Sequence, residues 1–390
     1  MVRATKEHTY IWERPDWPAF RWDPDRLPSA LDAARRAQAE LLGAVKAIGG
    51  IQATEAAVDA MALEVLNNSA IEGVRLDLGS IRASLRLRLG AAGELAQLTG
   101  SERRVDPVVG ILTEAAEGWR EPLTWERIGK WHRALFPKGV QDGAQIVPAG
   151  ELRGAYPMVV ATLGRHAGDP EIIHFEAPGR EALENGLDAF LGWFNAPPEG
   201  MNGLIRAGLA HLWFVTLHPL PDGNGRLART LTDLALAQDE RLPNRFYSLS
   251  VQIMRDRERY YEALAKAQRG SLDITEWLLW FLGTVTAAAK QGLGEVGRVL
   301  ARGRFWAEAQ RLGLNTRQER VLRNLLGPAS GELAVSNRRF RAITGASRAT
   351  AARDLASLAE LGLVVPFGEA RSASYRVALE RYLPEAFRVV

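Results

Sequence analysis

Apolar positions recur with a helical period along most of this chain. Leu31, Ala34, Ala37, Leu41 and Ala44 share one side of a helix predicted over 28–47, and Gly49-Gly50 breaks it. A second helix is predicted over 53–67, with further ones over 79–98, 104–117 and 125–135. The last of these follows Thr124, a natural N-cap. The stretch 139–175 changes character. It is rich in Gly and Val, and Met158-Val159-Val160-Ala161-Thr162 reads as a strand in a short hairpin. Helices resume over 179–195, 203–217, 226–238, 256–268 and 273–292. Ahead of them all, Trp12, Trp17, Phe20 and Trp22 are interspersed with Pro15, Pro18 and Pro24, which suits an extended arm laying aromatic rings on a body.

Past residue 300 the pattern changes again. Helices are predicted over 316–326, 336–344 and 347–361, with a turn at Gly345-Ala346 and strands at 363–365 and 374–377. Three helices closed by a β-hairpin form a winged helix-turn-helix pattern. The expected fold class is therefore all-α with a small β-hairpin, followed by a winged helix. Charge separates the same two parts. Residues 301–390 hold 15 arginines, no lysine and 8 acids, a net of +7, whereas the whole chain carries only +3, leaving −4 on the first 300 residues. A basic module on a mildly acidic body raises nucleic-acid contact as a function for the tail. Arg348 and Thr350, near the start of the third helix, would reach bases or phosphates, and the wing would carry Arg371. The bland alternative is a winged helix used only for protein contact or dimerisation.

Composition removes other options. With no cysteine in 390 residues, disulfides, thiolate zinc sites and a cysteine nucleophile are excluded. No long uncharged apolar run spans a membrane, and the opening residues lack the apolar core of a signal peptide, so a cytoplasmic location is the expectation.

The chemistry concentrates in His218-Pro219-Leu220-Pro221-Asp222-Gly223-Asn224-Gly225-Arg226-Leu227-Ala228-Arg229. Pro219 disfavours helix at the preceding residue, so His218 stands where an apolar helix gives way to a loop. Asp222 is a loop carboxylate suited to a Mg²⁺ shared with phosphates. Glycines on both sides of Asn224 let the backbone approach a ligand and aim successive N–H groups at it, an anion nest. A helix beginning near Gly225 adds its positive end. Arg226 and Arg229, three apart, share a face and supply two guanidinium forks. A base, a metal ligand, a nest and two arginines describe a nucleotidyl or phosphoryl transferase.

This run resembles the Fic family motif, His-x-Phe-x-(Asp/Glu)-Gly-Asn-Gly-Arg-x-x-Arg, with Leu220 where the family usually has Phe, a core-facing position. The likeness extends over about residues 8–290, through Trp125 to Phe136 with His132, the helix from Gly203 with His211, Ser248-Leu249-Ser250, and Tyr260-Tyr261. A chance match of the fixed positions is on the order of 10⁻¹⁰ per start position, so coincidence is set aside. The resemblance implies a protein adenylyltransferase with ATP and Mg²⁺. His218 would be the base and Asp222 the Mg²⁺ ligand. Gly223, Asn224 and Gly225 would hold the phosphates, and Arg226 and Arg229 would grip the β- and γ-phosphates. A target protein's Tyr, Thr or Ser hydroxyl would attack the α-phosphate, and the hairpin near 153–162 would pin the target by strand addition. Tyr260 or Tyr261 would line the adenine pocket, with core packing as the competing role.

Asn68-Ser69-Ala70-Ile71-Glu72-Gly73 resembles the family's inhibitory motif, (Ser/Thr)-x-x-x-Glu-(Gly/Asn), which makes Glu72 the inhibitory residue. Asn68 stands where Ser or Thr is usual, and its amide hydrogen-bonds with a geometry unlike a hydroxyl's. His132 and His211 read as packed, hydrogen-bonded histidines. The domains implied are 1–100, helical and including the inhibitory helix; 101–295, the Fic core; and 300–390, the winged helix-turn-helix. Partners are a hydroxyl-bearing target protein, DNA at the tail and a homodimer, with no membrane. Transfer of another phosphate-linked group, removal of AMP with Glu72 aligning water, and a DNA-binding regulator that only senses nucleotide stay open beside the main reading.

Overall fold

The computed structural model describes residues 10–90, 100–142, 145–155, 157–162, 172–326, 333–368, 374–384 and 387. The wing residue Arg371 lies outside these. The chain divides into two units, Met1–Ala39 with Ala60–Ala289, and Glu40–Asp59 with Lys290–Val390.

The elements in chain order are α1 (Pro28–Ile48), α2 (Gly50–Ile71), α3 (Leu78–Arg88), α4 (Gly100–Glu117) and α5 (Trp125–Leu135), then the strands β1 (Val140–Asp142), β2 (Gln145–Val147), β3 (Val159–Thr162) and β4 (Ile172–Glu176). Six helices follow: α6 (Arg180–Asn195), α7 (Gly203–Leu217), α8 (Asn224–Glu240), α9 (Leu249–Arg255), α10 (Arg257–Arg269) and α11 (Thr275–Arg311). The chain closes with α12 (Thr316–Leu326), β5 (Ala334–Ser336), α13 (Asn337–Thr344), α14 (Arg348–Glu360), β6 (Val364–Phe367) and β7 (Ser374–Val377).

The first unit is built round α7, in which every residue from Leu204 to Leu217 is buried. An apolar helix without a polar face must be covered on all sides. Its main neighbour is α8, also buried from Leu227 to Ala237. Close approach is bought by Gly208, where a Cβ would lie 2.9 Å from the Phe281 ring, and the Trp277 indole donates to the Gly208 carbonyl at 2.9 Å. The N-terminal arm behaves as expected, laying Trp17 and Phe20 edge-on against Trp213 at 6.2 and 5.6 Å between centroids. The start of α1 is fastened to the end of α8. Arg35 pairs with Asp239, and Gln38 donates to Glu240, which also takes the Tyr247 hydroxyl and pairs with buried Arg245. Residues 60–71 of α2 are tied to α9 through Glu64, whose carboxylate accepts from the Ser248 hydroxyl at 2.8 Å and the Ser250 N–H at 3.0 Å.

Several elements differ from the sequence reading. Helix α2 runs to Ile71, four residues past the predicted end, so Asn68 and Ser69 are helical. Helix α3 ends at Arg88, with Leu89 as its cap, and residues 91–98 of the predicted helix lie outside the described residues. Where one hairpin was expected there are two ribbons, β1–β2 and β3–β4. Within the second, Val159 faces Glu176 and the register shifts between Val160 and Ala161. The far edge of β3 pairs with no strand among the described residues.

The second unit has its own core, with Phe305, Val321, Leu322, Leu325, Phe340, Leu355 and Leu358 all buried. Here α12, α13 and α14 are joined by a sheet of three strands in the order β5-β7-β6, so β5 is an addition to the expected pair. No helix of the described residues is long and apolar enough to cross a membrane.

Candidate active site

Helix α7 ends at His218, whose backbone is left-handed at φ 49°, ψ 55°. Such a conformation is costly for a residue with a Cβ and persists only where neighbours enforce it. The enforcement here comes from Arg153, which the sequence reading missed. Its side chain is buried, with Nε donating to the His218 carbonyl at 2.7 Å and Nη2 to the Pro178 carbonyl at 2.5 Å. Its own N–H donates to the Pro219 carbonyl at 3.0 Å. Burial depresses the Arg153 pKa, and Arg180 adds to the effect.

The imidazole of His218 points Nδ1 at the Val215 carbonyl, 3.3 Å away. A carbonyl can only accept, so Nδ1 carries the proton and Nε2 keeps its lone pair. Burial pulls the His218 pKa down to about 4, with the Val215 carbonyl acting the other way, so the ring is neutral at pH 7.

The rest of the loop is closed by its own side chains. Asn224 is buried, its Oδ1 accepting from Leu220 N–H at 3.0 Å and its Nδ2 donating to the Leu220 carbonyl at 2.8 Å. The Asn224 side chain thus closes the loop on Leu220, so the phosphate contact expected of this residue could come only from its backbone N–H. Leu220 itself is fully buried. His132 receives the Gly150 N–H on Nδ1 at 2.7 Å, so its Nε2–H donates to the Asp222 carbonyl at 3.1 Å. Gly223 sits at φ 80°, where a side chain would also press on Phe136, 3.0 Å from its Cβ. Helix α8 then starts at Asn224, and the N–H groups of its first turn have no carbonyl one turn back to bond.

Glu72 lies over that first turn. A Cβ at Gly225 would be 2.4 Å from its Oε1, and the same oxygen accepts from Arg229 Nη2 at 2.8 Å. Arg229 is buried and is gripped further by Asn68, whose Oδ1 takes Nε at 2.6 Å and whose carbonyl takes Nη2 at 3.1 Å. The Asn68 amide also donates to the Arg226 carbonyl at 3.3 Å. The amide therefore makes two contacts, one with each end. Burial acts to raise the Glu72 pKa, but Arg229, with Arg226 and Arg257, outweighs it and lowers the value. Arg226 stacks on the Phe136 ring at 4.8 Å and lies 3.6 Å from Asp222. Nε of Arg226 and Nη1 of Arg229 are buried donors without an acceptor.

Tyr260 is placed in the core behind Arg229, with its hydroxyl 3.0 Å from His211 Nε2, while His211 Nδ1 meets Thr232 Oγ1 at 3.0 Å. Of the tyrosine pair only Tyr261, 37% exposed, presents a ring to solvent. No group of three His, Cys, Asp or Glu side chains among the described residues could hold a metal by itself. Mg²⁺ bound with phosphates needs only one or two carboxylates, and the Asp222 side chain, 60% exposed at the mouth of the loop, fits that demand.

Comparison with known proteins agrees with this arrangement. Residues 122–236 match the Fic/DOC family, and residues 10–91 match DUF4172, a domain of unknown function. Protein adenylyltransferase Fic of Nematostella vectensis is 26% identical over 229 residues, 57% of this chain and 47% of that protein. Uridine 5'-monophosphate transferase of Xanthomonas campestris pv. campestris is 28% identical over 172 residues, 40% of this chain and 29% of that protein. The chain thus spans less than half the length of either relative. A Fic family protein from Desulfovibrio desulfuricans shares the fold at a TM-score of 0.50 and 18% identity, covering 92% of this chain and 98% of that one. A Fic domain containing signaling protein from Bacteroides thetaiotaomicron does so at 0.50 and 16%, covering 68% and 97%. The matched segment holds the loop from His218 to Arg229, so residues 122–236 carry a Fic/DOC match that includes the whole candidate site.

Proposed function

We propose that the chain transfers AMP from ATP to a Tyr, Thr or Ser hydroxyl of a target protein, and that Glu72 holds the reaction back. The observation that carries this reading is the pairing of a neutral imidazole with an anion cradle. His218 keeps an Nε2 lone pair; two arginines of α8 offer buried side-chain donors without acceptors, and the first turn of that helix has backbone N–H groups with no helical partner. Nε2 would take the proton of the attacking hydroxyl while the oxygen bonds to the α-phosphorus and pyrophosphate departs. The negative charge of a bound triphosphate raises the His218 pKa from its low value toward the working range. Backbone N–H groups of α8, with Arg226 and Arg229, would stabilise the charge that grows on the phosphates. Asp222 is the residue to hold Mg²⁺, which would supply charge neutralisation between the phosphates.

Glu72 occupies the same cradle. Its carboxylate uses the Arg229 fork and lies over the turn a phosphate would approach, so nucleotide and Glu72 compete for one set of donors. The open edge of β3 suits strand addition by the target. In the second unit the order helix, strand, helix, helix, strand, strand supports the winged helix-turn-helix reading. A second nucleotide is a live reading because one relative is named for transferring uridine 5'-monophosphate. Incubation with α-labelled ATP, UTP, GTP and CTP decides between them: protein labelling from ATP alone supports the proposal, and labelling only from UTP replaces it.

A further inference from the structure

Outside the catalytic loop, the strongest unpartnered feature is the cationic face of α13 and α14. Helix α13 carries no acid, and Arg338 and Arg341 are both exposed and three residues apart, hence on one side of it. Neither forms an ion pair among the described residues, and together with Ala342, Gly345 and Ala346 they line an open concavity of about 510 Å³. On α14 the exposed residues Arg348, Ala349, Ala352, Arg353 and Ala356 adjoin one another, opposite buried Ala351, Leu355 and Leu358. Of the two acids on α14, Asp354 is buried with its oxygens taken by Arg317 and Asn315, and exposed Glu360 stands at the far C-terminal end, one turn beyond Ala356. On the neighbouring hairpin, exposed Arg376 lies 4.8 Å from the centre of the Phe367 ring.

We infer that this face is a docking surface for double-stranded DNA, with α14 entering the major groove and α13 on the flanking backbone. The inference rests on the winged-helix reading above. The alanine side chains at 349, 352 and 356 let the helix backbone sink into a groove about 12 Å wide, close to the diameter of a helix with its side chains. Arg348 and Arg353 flank that strip and reach base edges or phosphates. Arg338 and Arg341 meet consecutive backbone phosphates in the concavity. The deep, narrow major groove of duplex RNA excludes a helix, so the fit is to DNA.

The test is fluorescence anisotropy of the full chain with a labelled DNA duplex of roughly 20 base pairs, two helical turns, titrated between about 50 and 200 mM salt. Binding should weaken steeply with salt. The double variant Arg338→Ala, Arg341→Ala should lower the slope of log K against log salt by about 1.8, close to 0.9 per lost phosphate contact. Self-labelling with ATP should be unchanged in that variant. Absence of DNA binding at the lowest salt, a slope the variant leaves unaltered, or equal binding of duplex RNA each overturns the inference. Amide exchange on the free protein separates the two layers. Helix and strand protection over α12–α14 and β5–β7 with no DNA binding removes the interface alone. Absence of that protection removes the winged-helix reading.

Discussion

Replacing Glu72 with glycine takes one charged partner from Arg229 and leaves its two contacts with Asn68 in place. The lost contact is a 2.8 Å charge-assisted hydrogen bond between a guanidinium side chain 2% exposed and a carboxylate side chain 31% exposed. Hydrogen bonds to charged groups contribute about 1.5–3 kcal/mol, and solvent reaching Glu72 moves the figure to about 1.5–2 kcal/mol. A γ-phosphate seeking the same fork no longer has to displace that contact. At about 1.4 kcal/mol per factor of ten, productive ATP binding should rise about 10- to 30-fold. Self-labelling with α-labelled ATP should rise by a similar factor, and ATP should raise Tm more in the variant than in the wild type. Without nucleotide the variant should melt lower, because a buried guanidinium has lost its counter-ion. Glu72→Gln, which keeps an acceptor but not the charge, should fall between. Arg229→Ala should abolish transfer in either background. Labelling by Glu72→Gly no faster than wild type, with equal ATP-dependent Tm shifts, would refute the competition, and alignment of a hydrolytic water by Glu72 would become the better account.

Three further outcomes are expected. His218→Ala should lose transfer by about 10²–10⁴-fold while ATP still raises Tm, because the imidazole acts on the hydroxyl; undiminished labelling removes the mechanism. Arg153→Lys should lower kcat by about tenfold or more with little change in KM for ATP, since an ammonium lacks the planar fork that spans the His218 and Pro178 carbonyls; a KM effect alone would place Arg153 in binding. Folded-state pKa values of about 4 for His132 and His218 and about 3 for His211 lie below the ordinary 6.5, so the unfolded chain binds more protons between pH 6.5 and 4. Tm should therefore fall as pH drops through that window and level off above it, and a flat Tm down to pH 5 would contradict neutral buried imidazoles.

The loop from His218 to Arg229 was legible because each of its jobs is written in consecutive residues: a proline that stops a helix, glycines that open a nest, arginines one turn apart. Arg153 was not, since its work is to hold carbonyls contributed from 25 and 65 residues away, and nothing local marks it. Asn68 could be placed by motif but not judged by it; only the fold shows both ends of its amide engaged. Among the elements, amphipathic α1 and α5 read cleanly. The last turn of α2, Asn68 to Ile71, did not, because Asn67, Asn68 and Ser69 are weak helix formers that read as a stop. Helix α9, with seven residues, is too short to show one. Helix α11 continues to Arg311 through Gly292, Gly294 and Gly297, where helix propensity argues for a stop and the tertiary structure overrides it. The three-residue strands β1, β2 and β5 leave too few alternations to see.

The edge of β3 that pairs with no strand among the described residues separates two questions of heredity. Main-chain hydrogen bonds are indifferent to side chains, so an edge of this kind accepts extended segments of many sequences. Discrimination must then come from what stands beside the edge, and Val159 and Val160, 37% and 36% exposed, are surface positions there. Surface changes usually alter stability by no more than about 0.5 kcal/mol. A descendant could thus acquire a new recipient through a few codons in the ribbon while the histidine loop and its arginines stay untouched. On the proposed reading, chemistry and address are inherited on separate stretches of this chain, and the address is the one free to drift.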